Sequence, residues 1–375
     1  MAGLPALAVV GLTVAALLTS GCASTLPKRS YTAAEMSTEL RTRVSAQMRD
    51  QIVIPFEIDE DIRTLAHDVT RNADGEQAKI AALVEAIIGL SQFSISYDWL
   101  SNKTAKEVFR QGKGNCLAYT NLFIGMAREV GIDAVYVDVT SVERHTREAE
   151  VLVNNGHVTA GIIQGPDVLV IDFTKTPERE YIGYDIIDDL EGIAHYYNNQ
   201  GFLYGFFTET TGKDPSFDPM TKELEMYRMA LQVKPTFLRA KNNLGVALRR
   251  RGRIPEAIAQ YKEAIALDPK FADARANLAA AYYMQGRVSE AVAELEVASR
   301  DSSNGFFHHH LGIVQYELKR YQEAIKEFRK ALSMEPGLAM ARYYLGESYK
   351  QLGDRRRALE EYTEALALDP NLEPA

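Results

Sequence analysis

The amino-acid sequence predicts an α+β domain followed by an all-α superhelix of short helical repeats. Between about residues 75 and 175, segments with helical periodicity give way to segments that alternate or run apolar with β-branched residues, as strands do. From residue 242 onward, a pattern of two helices recurs at a nearly constant interval. The first part therefore forms a mixed domain with its own core, and the second forms a stack of helix pairs.

The composition excludes some classes of function. The chain has 375 residues, which leaves room for two or three domains. A net charge of -9 argues against nucleic acid as a main partner. We predict no cofactor and no metal, since the sequence holds neither a glycine-rich phosphate loop nor a cluster with metal-ligand spacing. His308, His309 and His310 point about 100° apart on a helix, so we interpret them as repeat-surface residues rather than ligands of one ion.

The first 21 residues carry no charge and run in an apolar stretch to Cys22. This stretch is short for a membrane span and suits the hydrophobic region of a secretory signal. Ser20 and Gly21 before Cys22 resemble a bacterial lipobox. The resemblance implies cleavage before Cys22 and acylation of that cysteine. Because Ala23 follows in place of aspartate, it also implies an outer-membrane anchor that faces the periplasm, in the bacterial cell envelope. An ordinary cleaved signal peptide or a misassigned start is the alternative.

Helical spacing of apolar residues identifies the helices that precede the strands. Thr104 is suited to cap one of them, and Gly112 to stop it. Gly131 closes the helix that begins at Cys116. The four predicted helices cover residues 33–48, 75–93, 104–112 and 116–130.

Three strands follow the helices, at residues 133–140, 157–163 and 168–173. The sequence QGPD between the last two is a tight turn, so these strands form an antiparallel hairpin. Helices followed by sheet give an α+β domain across roughly residues 50 to 185.

Cys116 stands alone as a thiol if Cys22 is acylated, because the chain has only two cysteines. The start of a helix favours a thiolate there and offers backbone N–H groups for an oxyanion. For a turn centred near Gly165, His157 and Asp172 come within about two residues of being opposite on the hairpin. An imidazole and a carboxylate so placed suit a general base and the group that orients it.

The residues alone leave other interpretations open. Cys116 is also suited to a structural role as a buried thiol, and His157 to a role as a capping or core histidine. Asp172 lies in an apolar run and needs a partner if it is buried, which His157 would supply. His145, in a charged stretch, is a rival base.

The segment from residue 104 to 139 is similar to the nucleophile segment of transglutaminase-like, papain-fold proteins. It has a glycine shortly before the cysteine, a helix after it and a Gly-Ile turn into a strand. The segments GHVTAGI and VLVIDFT resemble the histidine and aspartate strands of that family, in the expected order. The resemblance implies a papain-like transglutaminase core with Cys116 as nucleophile, His157 as base and Asp172 as orienting acid. It identifies no side-chain oxyanion donor, and Tyr97 and Trp99 are better interpreted as core aromatics.

The C-terminal part repeats at intervals of 34, 33 and 34 residues, counted between Leu244, Leu278, Leu311 and Leu345. Small residues recur where two helices approach closely, at Ala257, Ala291, Ala324 and Ala358. Large side chains that pack against them recur at Tyr261, Leu295, Phe328 and Tyr362. This pattern resembles the tetratricopeptide repeat. The resemblance implies an all-α superhelix whose concave face binds a protein or peptide.

A degenerate repeat precedes these four, because Gly201 and Tyr227 echo Gly245 and Tyr261. The interval is 26 residues in the first pair and 16 in the second, which indicates an insertion of about ten residues. We therefore predict the following divisions: a lipoprotein signal peptide at 1–21, a tether and helix at 22–50, the transglutaminase-like domain at 51–187, a degenerate repeat or connector at 188–235, and four repeats at 236–375.

The sequence thus predicts a periplasmic thiol enzyme, held to the membrane by a lipid on Cys22, with a Cys116–His157–Asp172 triad. It would be a cysteine peptidase or amidase, or an acyltransferase, that acts on a protein or peptide amide. The alternative is an adaptor lipoprotein whose thiol domain is catalytically silent and whose repeats bind partners.

Overall fold

The computed structural model describes residues 30–89, 96–98, 100–141, 147–148, 151–152, 157–165, 167–173, 181–210, 218–300 and 304–372. The predicted signal segment and Cys22 lie outside these residues. Two compact units make up the chain, the first formed by residues 1–146 and 154–240, the second by 147–153 and 241–375. The finer domain boundaries given above stay predictions. Among the described residues, no helix combines the length and the apolar character needed to cross a bilayer.

The first unit contains the helices that position the thiol. They are α1 (Ala33–Arg43), a 3₁₀ helix (Ala46–Gln51), α2 (Glu60–Thr70), α3 (Gly75–Gly89), α4 (Ala105–Gln111), α5 (Cys116–Glu129), α6 (Asp189–Thr210) and α7 (Pro219–Val233). The prediction of one helix over 33–48 is wrong beyond Arg43, because Val44 turns extended, with φ −84° and ψ 133°, and is buried there. Helix α2 was not predicted from the sequence.

The predicted caps around the thiol segment are confirmed. Thr104 accepts a hydrogen bond from the amide of Glu107, whose carboxylate bonds back to the Thr104 amide, which forms a capping box. Gly112 ends α4 in the left-handed region at φ 62°, where a side chain would be strained. Gly131 has a φ of 81° just after α5, as its predicted role as a stop requires.

A four-stranded antiparallel sheet lies in the first unit, with the strand order β7-β6-β3-β8. Its strands are β3 (Ala134–Ser141), β6 (Val158–Gln164), β7 (Asp167–Ile171) and β8 (Tyr181–Ile187). Two further pairs are short: β1 (Ser96–Tyr97) with β2 (Lys113–Gly114), and β4 (Arg147–Glu148) with β5 (Val151–Leu152), the latter in the second unit. The predicted hairpin is confirmed, since Gln164 pairs with Asp167 across a turn at Gly165, whose φ is 64°. Strand β8 was not predicted.

Helix α5 runs through the centre of the core of the first unit. All of its residues from Leu117 to Ala127 are buried, and it packs against α2, α3, α4, β3 and β6. The ring of Phe173 lies 6.0 Å from the rings of both Tyr119 and Phe123, measured between centroids. Because neighbours surround the helix, the position of Cys116 at its first turn is fixed by the core.

The far end of α5 is tied to α6 by a buried ion pair. Arg128 donates two parallel hydrogen bonds to the carboxylate of Asp189, at 2.8 and 2.7 Å, and also bonds to the carbonyl of Ala134. The amide of Tyr31 donates to the same carboxylate at 2.8 Å. This arrangement satisfies a carboxylate that is almost wholly buried.

The second unit is a stack of helix pairs. Its helices, of which α8 begins in the first unit, are α8 (Leu238–Arg250), α9 (Ile254–Leu267), α10 (Ala272–Met284), α11 (Val288–Arg300), α12 (Gly305–Glu317), α13 (Tyr321–Met334), α14 (Ala339–Gln351) and α15 (Arg355–Leu368). Each glycine of the repeat pattern lies directly under an aromatic ring: a Cβ on Gly312 would come within 2.6 Å of the ring of Phe328. The predicted all-α superhelix is confirmed.

The pair α6–α7 in the first unit carries the same contact. A Cβ on Gly201 would lie 2.8 Å from the ring of Tyr227, as one on Gly245 would lie 2.5 Å from the ring of Tyr261. The close approach of glycine to an aromatic ring is therefore the feature that α6–α7 shares with the repeats.

Candidate active site

Cys116 is the first residue of α5, and its side chain is half-buried. The residue before it, Asn115, caps the helix: its side-chain oxygen accepts a hydrogen bond from the amide of Ala118 at 2.9 Å. The amides of the first two helical residues, Cys116 and Leu117, have no acceptor within a helix of this geometry. Cys116 thus lies at the positive end of the helix dipole, and the residue is partly exposed to solvent.

His157 and Asp172 meet on the hairpin beside this helix start. The Nε2 atom of His157 lies 3.1 Å from Oδ2 of Asp172, and both side chains are buried. The pairing of Ala160 with Ile171 places Asp172 opposite Thr159, two residues from His157 on the same face of β6. This separation is the one predicted from the sequence.

Cys116 also acts on the imidazole: its charge and a side-chain hydrogen bond are among the causes that raise the pKa of His157. Because Nε2 is occupied by Asp172, Nδ1 is the ring nitrogen that can exchange a proton with the thiol. Three residues that are far apart in the sequence therefore form a line of thiol, imidazole and carboxylate.

The electrostatics of this line favour a charged imidazole. Burial disfavours the charged ring, but the negative charge of Cys116, hydrogen bonds to Asp172 and Cys116, and the Asp172 carboxylate outweigh it and raise the pKa of His157 to about 10. A charged His157 beside the carboxylate of Asp172 is the kind of group that can stabilise a neighbouring thiolate and so activate a thiol for nucleophilic attack.

A chain of buried amide groups links the helix cap to α6. The Nδ2 atom of Asn115 lies 3.5 Å from Oδ1 of Asn102, and Asn102 donates to the carbonyl of Tyr196 at 2.9 Å. The backbone amide of Asn115 also donates to the carbonyl of Ser101 at 2.9 Å. Neither asparagine was predicted to belong to the site. The role of Asn115 could have been predicted, because an asparagine directly before a helix is a common N-cap. The contact of Asn102 with Tyr196 spans 94 residues, and no local sequence pattern predicts it.

The other residues considered as site candidates lie largely outside the described part of the chain. His145, the rival base, and Trp99 are both among the residues left undescribed. Only the backbone of Tyr97 is described: it pairs with Gly114, two residues before Cys116. Its role as a core aromatic stays a prediction.

The three histidines of α12 are not equivalent, and the interpretation of all three as surface residues is wrong for one of them. His308 is buried, and its Nδ1 lies 2.7 Å from Oε2 of Glu327. A carboxylate on the neighbouring helix makes the burial of this imidazole possible. His309 packs near the ring of Phe328 and His310 near the ring of Phe306. Among the described residues, no group of three potential ligands could hold a metal ion.

Comparison with protein families agrees with this division of the chain. The model of the transglutaminase-like superfamily matches residues 63–166, the segment that contains Cys116 and His157. A model of the TPR repeat matches residues 246–286, and one of the tetratricopeptide repeat matches 305–338 and 339–372. The predicted architecture, a transglutaminase-like domain followed by tetratricopeptide repeats, is confirmed.

No curated protein matches the chain. Solved structures that resemble it include MamA, with 24% identity over 40% of this chain and 90% of that one, at a TM-score of 0.37. Another is YrrB, described as a TPR protein with an unusual peptide-binding site, with 20% identity over 48% of this chain and 87% of that one, at a TM-score of 0.37. PilF of Pseudomonas aeruginosa shares 20% identity over 48% of this chain and 77% of its own, at a TM-score of 0.43.

Proposed function

We propose that this chain, which contains a transglutaminase-like domain followed by tetratricopeptide repeats, is a thiol enzyme that cleaves or transfers an acyl group of a protein or peptide amide. One observation carries the proposal: the imidazole of His157 is hydrogen-bonded to Asp172 and also interacts with Cys116, which helps to raise its pKa. A structural thiol or a core histidine does not need to interact with both a carboxylate and a thiol in this way.

Cys116 is the nucleophile in this scheme. Its thiolate attacks the carbonyl carbon, a C–S bond forms, and the π electrons of the carbonyl move to oxygen. In this scheme the amides of Cys116 and Leu117, at the start of α5, stabilise that oxyanion. Half-exposure of Cys116 leaves the sulfur open to substrate, while the burial of His157 and Asp172 keeps their charges out of water.

His157 moves the proton. Collapse of the tetrahedral intermediate breaks the C–N bond, and the imidazolium of His157 protonates the leaving amine. The neutral imidazole then takes a proton from water, or from a second amine, as that molecule attacks the thioester. The acyl group leaves as an acid or a new amide, and the thiolate is restored beside a charged His157. Asp172 holds the ring in position throughout.

The repeats would bring the protein substrate to this site or hold a partner on their concave face. Stacked tetratricopeptide pairs expose such a face because each pair contacts only its neighbours. The anchor proposed for the chain is a lipid on Cys22 in the outer membrane, facing the periplasm, where an unpaired Cys116 would remain a free thiol. Incorporation of a labelled fatty acid into wild type, and its loss in Cys22→Ala, tests the anchor.

A comparison of bacterial envelopes from cells with wild type and with Cys116→Ala tests the activity. Hydrolysis predicts new peptide termini, and transfer predicts new isopeptide bonds, that are present only with wild type. The same comparison with Cys22→Ala separates a lost anchor from lost chemistry. Envelopes that are identical with wild type and Cys116→Ala would support the silent adaptor instead.

A further inference from the structure

Two buried amide side chains, those of Asn102 and Asn115, lie between α6 and the start of the nucleophile helix α5. The Nδ2 atom of Asn102 donates to the carbonyl oxygen of Tyr196 at 2.9 Å, and its Oδ1 atom lies 3.5 Å from Nδ2 of Asn115. The Oδ1 atom of Asn115 accepts a hydrogen bond from the amide of Ala118 at 2.9 Å. These contacts connect α6 with the first turn of α5, where Cys116 lies.

The two ends of this connection determine which way each amide group points. A carbonyl oxygen such as that of Tyr196 can only accept a hydrogen bond, and the backbone amides at the start of a helix can only donate one. Asn102 therefore turns its Nδ2 atom to Tyr196, which leaves its Oδ1 atom toward Asn115. Asn115 in turn directs its Nδ2 atom to Asn102 and its oxygen to the helix. The carbonyl on α6 thus sets the orientation of the cap beside Cys116.

Asn102 is held to α6 at a second point. Its backbone carbonyl accepts a hydrogen bond from Nε2 of Gln200 at 2.8 Å, and the same nitrogen donates to the hydroxyl of Tyr196 at 3.2 Å. One residue earlier, the carbonyl of Ser101 accepts from the backbone amide of Asn115 at 2.9 Å. The segment that holds the cap is therefore fixed to α6 and to the start of α5 by backbone groups as well as by the amide pair.

A neutral cap suits this helix for a chemical reason. Aspartate caps a helix as well as asparagine does, and this chain uses it at Asp59 for α2 and at Asp218 for α7. A carboxylate at position 115 would disfavour a thiolate on the next residue and an oxyanion at the first turn, because like charges repel. Asn115 supplies the same hydrogen bond without the charge.

Asn102 also opposes a charged cap. Its Oδ1 atom would face a carboxylate oxygen at position 115, and it cannot turn away while its Nδ2 atom is bonded to the carbonyl of Tyr196. Both amides are shielded from water, since Asn102 is 5% exposed and Asn115 is 7% exposed. Little solvent is therefore present to screen such a repulsion or to replace a lost partner.

We propose that Asn102 is a positioning residue for the reaction of Cys116. It orients the amide of Asn115 so that a neutral oxygen caps the nucleophile helix and the amides of Cys116 and Leu117 stay available for an oxyanion. Helix α6, predicted to belong to a degenerate repeat or connector, then supports the site. The inference deepens the proposed function and rests on it, since a silent thiol domain gains nothing from a neutral cap.

The pH dependence of the alkylation of Cys116 by iodoacetamide, measured on the full chain, tests this role. Asn102→Ala should move the midpoint of the rate profile to higher pH and lower the rate at neutral pH about tenfold. Asn115→Ala should also slow the reaction, and the double variant should be no slower than Asn115→Ala alone, because Asn102 acts through Asn115. Asn277→Ala is the matched control: it removes another buried amide pair, in which Nδ2 of Asn277 lies 2.9 Å from Oδ1 of Asn242, and should leave the profile unchanged.

Gln200→Ala is a milder variant, which decides the question if Asn102→Ala does not fold. Gln200 is half-buried, so the fold should persist without its bond to the carbonyl of Asn102. The midpoint should move in the same direction as in Asn102→Ala, and it should not move further when Asn115 is already replaced by alanine.

Asn115→Asp tests the charge of the cap. It keeps an acceptor for the helix, yet it should slow alkylation at neutral pH about tenfold, because a carboxylate then lies beside the thiolate. The proposal is overturned by a profile that Asn102→Ala or Asn115→Asp leaves unchanged, or by equal shifts in Asn102→Ala and Asn277→Ala. Effects of Asn102→Ala and Asn115→Ala that add in the double variant also overturn it. A shifted profile together with identical envelopes from wild type and Cys116→Ala would contradict only the proposed function.

Discussion

The imidazole of His157 and the carboxylate of Asp172 are joined by a 3.1 Å hydrogen bond from ring Nε2 to Oδ2, across 15 residues of sequence. The hairpin of β6 and β7 makes this contact, since its register places Asp172 opposite Thr159, one step along the face from His157. The bond leaves Nδ1 of the ring for Cys116, and so it determines which nitrogen can serve the thiol.

Asp172→Asn should slow the alkylation of Cys116 at neutral pH by about tenfold or more. The amide keeps the size of the side chain but removes the charge that supports the imidazolium. The rate constant for a thiol-directed electrophile, measured on the full chain, checks this. Asp185→Asn, on the exposed part of β8, is the matched control and should leave the rate unchanged.

Charged His157 should also make the stability of the protein depend on pH. Its pKa is raised from 6.5 to about 10 in the folded chain, so its contribution to the free energy of unfolding is fully present below about 6.5 and is lost as the pH rises toward 10. The stability difference between wild type and His157→Gln should therefore shrink over that interval. Denaturant unfolding at several pH values measures it, and a difference that grows with pH would contradict the assignment of the charge.

The cap of the nucleophile helix should matter for both stability and reactivity. Asn115→Ala removes the bond to the amide of Ala118 and should cost about 1 kcal/mol of unfolding free energy. It should also slow the alkylation of Cys116, because the first turn of α5 loosens. Asn304 caps α12 in the same way, through the amide of Phe306. Asn304→Ala should have a similar cost in stability and no effect on the thiol, and equal effects on the thiol would show that the cap has no local role.

The sequence made the site more predictable than the complete fold. A turn at Gly165 and a count along two strands were enough to bring His157 near Asp172, because register in a hairpin is set locally by the turn. Strand β8 was missed because it pairs with β3, about 45 residues away, and no sequence pattern near either strand indicates that pairing. The link from Asn102 to α6 is likewise a product of tertiary packing. Helix α2, by contrast, could have been predicted from the sequence. Asp59 is suited to cap it, and the buried residues Ile62 and Ala66 follow at helical spacing.

Repeat stacking predicts that a methyl group at Gly312 is destabilising. A Cβ there would lie 2.6 Å from the ring of Phe328, which is fully buried and cannot move away, so Gly312→Ala should cost about 1–3 kcal/mol. Gly337 has no neighbour within 4 Å and a φ outside the left-handed region, and Gly337→Ala should change stability by less than about 0.5 kcal/mol. Thermal unfolding of both variants compares them. Equal effects would mean that the glycine–aromatic contact does not hold the pairs together.

The alkylation rate of Cys116 in wild type and in His157→Ala tests the central claim most directly. If the line of thiol, imidazole and carboxylate activates the thiol, Cys116 should react with iodoacetamide at neutral pH faster than free cysteine does, and His157→Ala should remove that advantage. A Cys116 that reacts no faster than free cysteine, at a rate that His157→Ala leaves unchanged, would contradict the account.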